Sequence, residues 1–165
     1  MIAVIGCGNA NRTDDAAGLE VIRLLKGSEA LRRRPDVQLL DAGTDGMAVM
    51  FAARGCTTLI VVDSCRTEAE AGAIFEVPGS EVETKHTPSL NLHDFRWDHA
   101  LYAGRQIYRD AFPKDVTAFL IEAHSLELGC ELTADVARSV AVVAQRIEAR
   151  IMARTESRPC PETRS

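Results

Sequence analysis

Three stretches of the chain are apolar from end to end and then stop at a glycine or an acid: IAVIG at residues 2–6, TLIVVDS closing on Asp63, and VTAFLIEA closing on Glu122. A half-exposed strand alternates apolar and polar side chains. A strand without alternation has no face for water and needs cover on both sides. Stretches of helical character lie between these runs. In DAAGLEVIRLLKG, Leu19, Ile22 and Leu25 recur at helical spacing, joined by Val21, and Gly27 supplies a stop. VQLLDAGT holds a further strand at residues 37–40, ending in Asp41 and a glycine turn, and MAVMFAARG reads as a helix closed by Gly55. GAIFEVP alternates and ends at Pro78, the mark of an edge strand expected to run antiparallel. HDFRWDHALYAGRQIYRDAF reads as a helix ended by Pro113, and TADVARSVAVVAQRIEARIM as a strongly periodic helix behind a Thr or Asp cap. Strands alternating with helices predict an α/β fold: a three-layer sandwich with a twisted, mostly parallel five-stranded sheet flanked by helices. Residues 1–152 are expected to form this single domain, and residues 153–165, polar and carrying two prolines, a disordered tail.

Charge and composition narrow the function classes. A net charge of -5 with no basic excess argues against nucleic acid, and the single basic run, Arg32 to Arg34, reads as a solvated surface. No apolar run approaches the roughly 18 residues that span a bilayer, so membrane insertion is not expected. The N-terminus has no charged region ahead of its first strand, unlike a signal peptide. Five cysteines in odd number, without close pairs, fit reduced thiols and a cytoplasmic setting.

In a parallel sheet, ligands sit beyond the carboxyl ends of the strands. The polar residues placed there are Asn9, Asp14 and Asp15, then Asp41 and Thr44, then Asp63, then Glu122 and His124. The opening GCGNANRTDDAAG begins as a dinucleotide loop would, with Gly6 and Gly8, but Asn11 stands at the third glycine position. A helix that opens on Asp14 and Asp15 already carries the anions a pyrophosphate would supply, and no G-K-[ST] is present, so no nucleotide is expected. One aspartate of the pair is explained by helix capping, worth ~1 kcal/mol. The other would face the crevice. Asp63, ending a buried strand, calls for a partner or a cation. With His93 opening a helix, these carboxylates make a mixed oxygen and nitrogen cation site of the kind nickel, zinc or cadmium accepts. Spacing alone leaves the reaction open.

On these motifs the chain resembles the hydrogenase maturation endopeptidases, which trim the C-terminal extension of the NiFe hydrogenase large subunit after nickel insertion. Gly6-Cys7-Gly8-Asn9 followed by Asp14-Asp15 is similar to the family's opening, DAGT at Asp41 to Thr44 to its second-strand motif, and LIVVDS with Asp63 to its third strand. HDFRWDHAL from His93 and LIEAHSLELG with Glu122 follow in the family's order. The chain departs from the pattern at Ala16-Ala17, where glycine is usual, and at Arg96, where a small residue is usual. The resemblance implies an aspartic-type endopeptidase in which Asp15, Asp63 and His93 contact the nickel of the precursor, with Gly6, Gly8, Asn9, Asp14, Asp41, Thr44 and Glu122 supporting the loop. It implies no permanently held cofactor. Nickel is met in the substrate, and zinc or cadmium could take its place in a crystal.

Two other readings use the same residues. A nickel-sensing chaperone would bind the precursor without cutting it. A hydrolase could instead use Cys65, two residues after Asp63, with His93 as its base. His86 and His99 add imidazoles near the expected crevice and read as surface residues, and His124 stands in the turn after Glu122, where the family more often has other residues.

Overall fold

The computed structural model describes residues 1–85 and 95–156. In chain order it contains β1 (Ile2–Cys7), a short 3-10 turn (Thr13–Ala16), α1 (Ala17–Gly27), a single turn α2 (Glu29–Arg32), β2 (Val37–Gly43), α3 (Gly46–Ala53), β3 (Thr58–Cys65), β4 (Ile74–Pro78), a turn α4 (Gly79–Val82), α5 (Trp97–Tyr108), β5 (Asp115–Glu122) and α6 (Ala134–Glu156). The five strands lie in the order β2-β1-β3-β5-β4, all parallel except β4, which runs antiparallel to β5 at the edge. This is the expected sandwich. The three runs without polar alternation became the three central strands, and the alternating one became the edge.

Each central strand sends successive side chains to opposite layers. Val4, Ile60, Val62, Phe119 and Ile121 pack beneath α1 and α6, against Val21, Ile22 and Leu25 of the first helix and Val136, Val140, Val143, Ile147 and Ile151 of the last. Ala3, Ile5, Leu59, Val61 and Ala118 pack beneath α3 and α5, against Val49, Met50 and Leu101. Fully burying one such aliphatic or aromatic side chain is worth about 1.5–3 kcal/mol, so these two layers supply most of the drive to fold.

The start of α1 is pressed hard onto the sheet. A β-carbon on Gly6 would stand 2.3 Å from the carbonyl oxygen of Gly18, and one on Gly18 would stand 2.3 Å from that of Val62. Only glycine at both positions lets helix and strands approach this closely. The close approach fixes the Thr13–Ala16 turn at the carboxyl edge of β1 and β3.

Several boundaries differ from the sequence reading. β2 runs on to Gly43, so Asp41 lies inside it, paired with Gly6, rather than at its end. Arg34 of the basic run is mostly buried, chelating Asp36 at 2.8 Å and reaching the carbonyl of Ile151, so it is a packing residue and not a solvated one. α6 continues through Glu156, four residues past the expected domain end at 152. Its last turn is held to the sheet because the Arg154 guanidinium bonds the Thr58 hydroxyl and the Asp115 carboxylate. The rest of the expected tail, residues 157–165, lies outside the described residues. No helix of the described residues is long and apolar enough to cross a membrane.

Candidate active site

A cleft of about 230 Å³ opens at the carboxyl ends of β1 and β3, lined by Cys7, Gly8, Asp15, Asp63 and Trp97, with Gly43 to Gly46 and Arg96 at its rim. Asp15 and Asp63 both line this cleft. Ser64 ties them together: its N–H donates to Asp63 Oδ1 at 2.8 Å, and its hydroxyl donates to Asp15 Oδ1 at 2.9 Å. The Asn9 N–H donates to the other oxygen of Asp15 at 3.2 Å. The loop that allows this depends on Gly8, whose φ is +128° and whose β-carbon would fall 1.7 Å from the Asp15 carbonyl oxygen. The opening glycines therefore bring the chain close to itself rather than to a phosphate.

Asp63 is buried. Its second oxygen accepts the Trp97 indole N–H at 2.7 Å, and the exposed Arg96 guanidinium stands 3.7 Å away. Burial pushes the Asp63 carboxyl up to about 6. The Trp97 and Ser64 bonds and Arg96 pull against that rise, while the charge of Asp15 adds to it. Arg96 and Trp97 reach the cleft because the chain crosses directly over the start of α3, where a β-carbon on Gly46 would stand 2.4 Å from the Phe95 carbonyl oxygen. The Asp45 carboxylate caps that helix through the Met47 and Ala48 N–H groups.

The other sequence candidates divide. Thr44 lines the cleft, but Asp41 is exposed and accepts the Gly43 N–H, a turn bond at 2.9 Å. Asp14 does not cap its own helix and does not enter the cleft. Fully buried, it accepts the N–H groups of His124, Ser125 and Thr133 at 2.8–2.9 Å, together with the Thr133 hydroxyl. It fastens the β5–α6 connection to the start of the chain. Glu122 likewise lies outside the cleft. Burial works to raise its carboxyl, but bonds from the Thr67 N–H and hydroxyl, the Cys65 thiol and the Glu68 N–H hold it lowered on balance. It anchors the loop that leads to β4.

His99 accepts the Arg96 N–H at the start of α5, and His124 is exposed. His93 and His86 lie outside the described residues, and among the described residues no three His, Cys, Asp or Glu side chains are grouped to hold a metal. The lining residues that the sequence reading did not place in the site are Cys7, Gly43, Asp45, Gly46, Arg96 and Trp97, and it also missed Ser64, which bonds both carboxylates. The signals for Ser64 and Asp45 were present but weak: a serine beside a strand-ending acid, and an Asp-Gly pair opening a helix.

A family model described as hydrogenase maturation protease matches residues 19–150. The chain belongs to the hydrogenase maturation protease family. It is 31% identical over 134 residues to the hydrogenase 2 maturation protease of Escherichia coli, covering 80% of this chain and 79% of that one. It is 37% identical over 103 residues to the coenzyme F420 hydrogenase subunit delta of Methanothermobacter thermautotrophicus, covering 56% of this chain and only 65% of that subunit. The hydrogenase-maturating endopeptidase HybD from E. coli has the same fold, with a TM-score of 0.74, 24% identity and 92% of each chain covered. The family match begins after the glycine loop, so it takes in Asp63 and His93 but not Asp15.

The cysteine hydrolase reading loses its nucleophile in this maturation protease. Burial, followed by the bond to Glu122 and that residue's negative charge, pushes the Cys65 thiol up to about 12. A thiolate is the reactive species, so almost none is available near neutral pH. Cys65→Ala is expected to keep peptidase activity within about threefold of wild type. Loss of activity in a folded Cys65→Ala protein would restore the thiol to the site.

Proposed function

We propose that this maturation protease is an endopeptidase that removes the C-terminal extension of a NiFe hydrogenase large-subunit precursor once nickel has been inserted. The observation that supports it best is the pairing of Asp15 and Asp63 through one serine, at the mouth of a cleft roofed by Trp97. Two carboxylates locked in fixed orientation can offer an oxygen to a cation and an oxygen to a water. In this reading Asp15, Asp63 and His93 contact the nickel of the precursor, which enters as part of the substrate. The protein holds no metal of its own.

With nickel polarising the scissile carbonyl, a carboxylate of the pair accepts the proton of the attacking water. Asp63, its carboxyl pushed up to about 6 chiefly by burial, is suited to that exchange near neutral pH. The enzyme is then aspartic-type in the sense that carboxylates rather than a thiol act on the peptide, and it works in the cytoplasm with its cysteines reduced. The similarity to a hydrogenase 2 maturation protease supports a hydrogenase precursor as substrate.

The test is intact-mass analysis of nickel-loaded and nickel-free precursor after incubation with the wild type and with Asp15→Asn and His93→Ala variants. C-terminal loss is expected only with nickel-loaded precursor and wild-type enzyme. Cleavage at the wild-type rate by either variant would remove that residue from the site. An intact precursor that co-elutes with the wild type would mean a chaperone that binds without cutting.

A further inference from the structure

Helix α3 is built entirely from GMAVMFAA and carries no polar side chain along its eight residues. A helix that is apolar all round belongs in an interior. This one covers the sheet with Val49, Met50 and Ala53, yet it leaves Met47 38% and Phe51 60% exposed, with Ala48 and Ala52 half-buried beside them. Met47 and Phe51 are four residues apart and share one face of the helix. A lone exposed apolar residue needs no explanation, but this face has nothing polar to separate its members.

Its position selects an occupant. The first residue of α3, Gly46, lines the rim of the cleft, as does its cap Asp45, so the apolar face begins where the cleft ends. At 1.5 Å per residue, Phe51 lies only about 8 Å along the helix from Gly46. A protein that docks stably covers roughly 800 Å² on each partner, a patch roughly 30 Å across. An interface of that size centred on the cleft, where a folded substrate presents its C-terminal segment to Asp15 and Asp63, extends over the first two turns of α3.

We propose that the outer face of α3, centred on Met47 and Phe51, is a docking surface for an apolar patch of the hydrogenase large-subunit precursor. The inference rests on the proposed endopeptidase function. It makes substrate choice a property of a helix that takes no part in the chemistry.

The experiment is steady-state cleavage of nickel-loaded precursor by the full chain as wild type, Phe51→Lys, Phe51→Leu, Met47→Gln and, as a control on the opposite layer, Met152→Lys. Phe51→Lys is expected to raise KM about tenfold or more with kcat within about twofold, since a few central anchors carry most of the affinity of an interface. Met47→Gln should shift KM in the same direction by less. Phe51→Leu should restore KM, and Met152→Lys should leave it unchanged, with all melting temperatures close to wild type. An active wild type whose KM is untouched in both Phe51→Lys and Met47→Gln would overturn the docking surface alone. A wild type that does not cut would overturn the endopeptidase reading, and the docking proposal with it. A wild-type dimer in light scattering that Phe51→Lys dissolves would assign the face to a second copy of this chain and overturn the proposal in that way. Should Phe51→Lys fail to fold, Met47→Gln alone decides.

Discussion

Asp63→Asn is expected to abolish precursor cleavage, by at least about 100-fold in kcat/KM, while making the folded protein more stable at pH 7. The two effects share one cause. Asp63 is 6% exposed, and burial is the main influence pushing its carboxyl up to about 6. In the unfolded chain an aspartate ionises near 3.9. Between roughly pH 4 and pH 6 the folded protein therefore keeps a proton that the unfolded chain has released, and stability falls as pH rises through that window. Above it the buried charge is fully formed and its cost is constant. A shift of about two units corresponds to a ceiling of about 3 kcal/mol. The amide avoids that cost, and its oxygen can still accept the Trp97 N–H. Its NH2 group, however, faces the Ser64 N–H, so the net gain should be about 1–2 kcal/mol.

Urea unfolding of wild type and Asp63→Asn at pH 7 and at pH 4 measures this directly. The variant should be the more stable at pH 7, and the gap should close on acidification. A gap that does not change with pH, or a variant less stable at pH 7, would mean that Asp63 is not held against its burial. Retained cleavage would mean that it is not needed for the chemistry. A stability gain coupled to a loss of activity is the expected mark of a site where a charge is kept in an unfavourable place for use.

How far the chain could be read in advance follows from how local each determinant is. The central strands and the helices α1 and α6 were legible because their patterns, unbroken apolar runs and a period near 3.6, sit within a few neighbouring residues. Asp63 was legible because a carboxylate at the end of such a run is costly without a reason. The reason for Gly6 was not legible, since it lies in the Gly18 carbonyl across a helix–strand contact. Trp97 could be placed on a helix from its spacing, yet its bond to Asp63 depends on Gly46 letting the chain pass over α3. Glu122 looked like a cleft residue because it ends a central strand, but the loop at Thr67 and Glu68 turns back to take its oxygens. In each case what was missed lay in a partner at least twelve residues away, while the local pattern was read correctly. His93, chosen as an imidazole opening a helix and again from the family pattern, lies outside the described residues, so its place in the site rests on the proposed function.

The adjacent acids at residues 14 and 15 looked interchangeable in sequence, and the largest stability effect expected in this protein separates them. Asp14→Ala should cost about 3–5 kcal/mol and lower the melting temperature by about 10–15 °C. The side chain is fully buried and its two oxygens satisfy the His124, Ser125 and Thr133 N–H groups and the Thr133 hydroxyl, all donated from more than a hundred residues away. A bond to a charged acceptor contributes about 1.5–3 kcal/mol, and a buried donor left without a partner costs about 1–3 kcal/mol, so water entering the vacated space could recover only part of the loss. Asp14→Asn should fall between, at about 2 kcal/mol, because its amide cannot accept where the carboxylate did. Chemical denaturation gives the magnitude, and hydrogen exchange at His124, Ser125 and Thr133 gives the place, with protection lost there before the sheet opens. The decisive comparison is with Asp15→Asn. Asp14→Asn, assayed below its melting transition, should still cleave precursor, and Asp15→Asn should be stable and inactive. Equal losses of activity in both, at equal stability, would mean that the pair acts as one unit, and that the buried clamp and the cleft carboxylate are not the separate devices their partners make them.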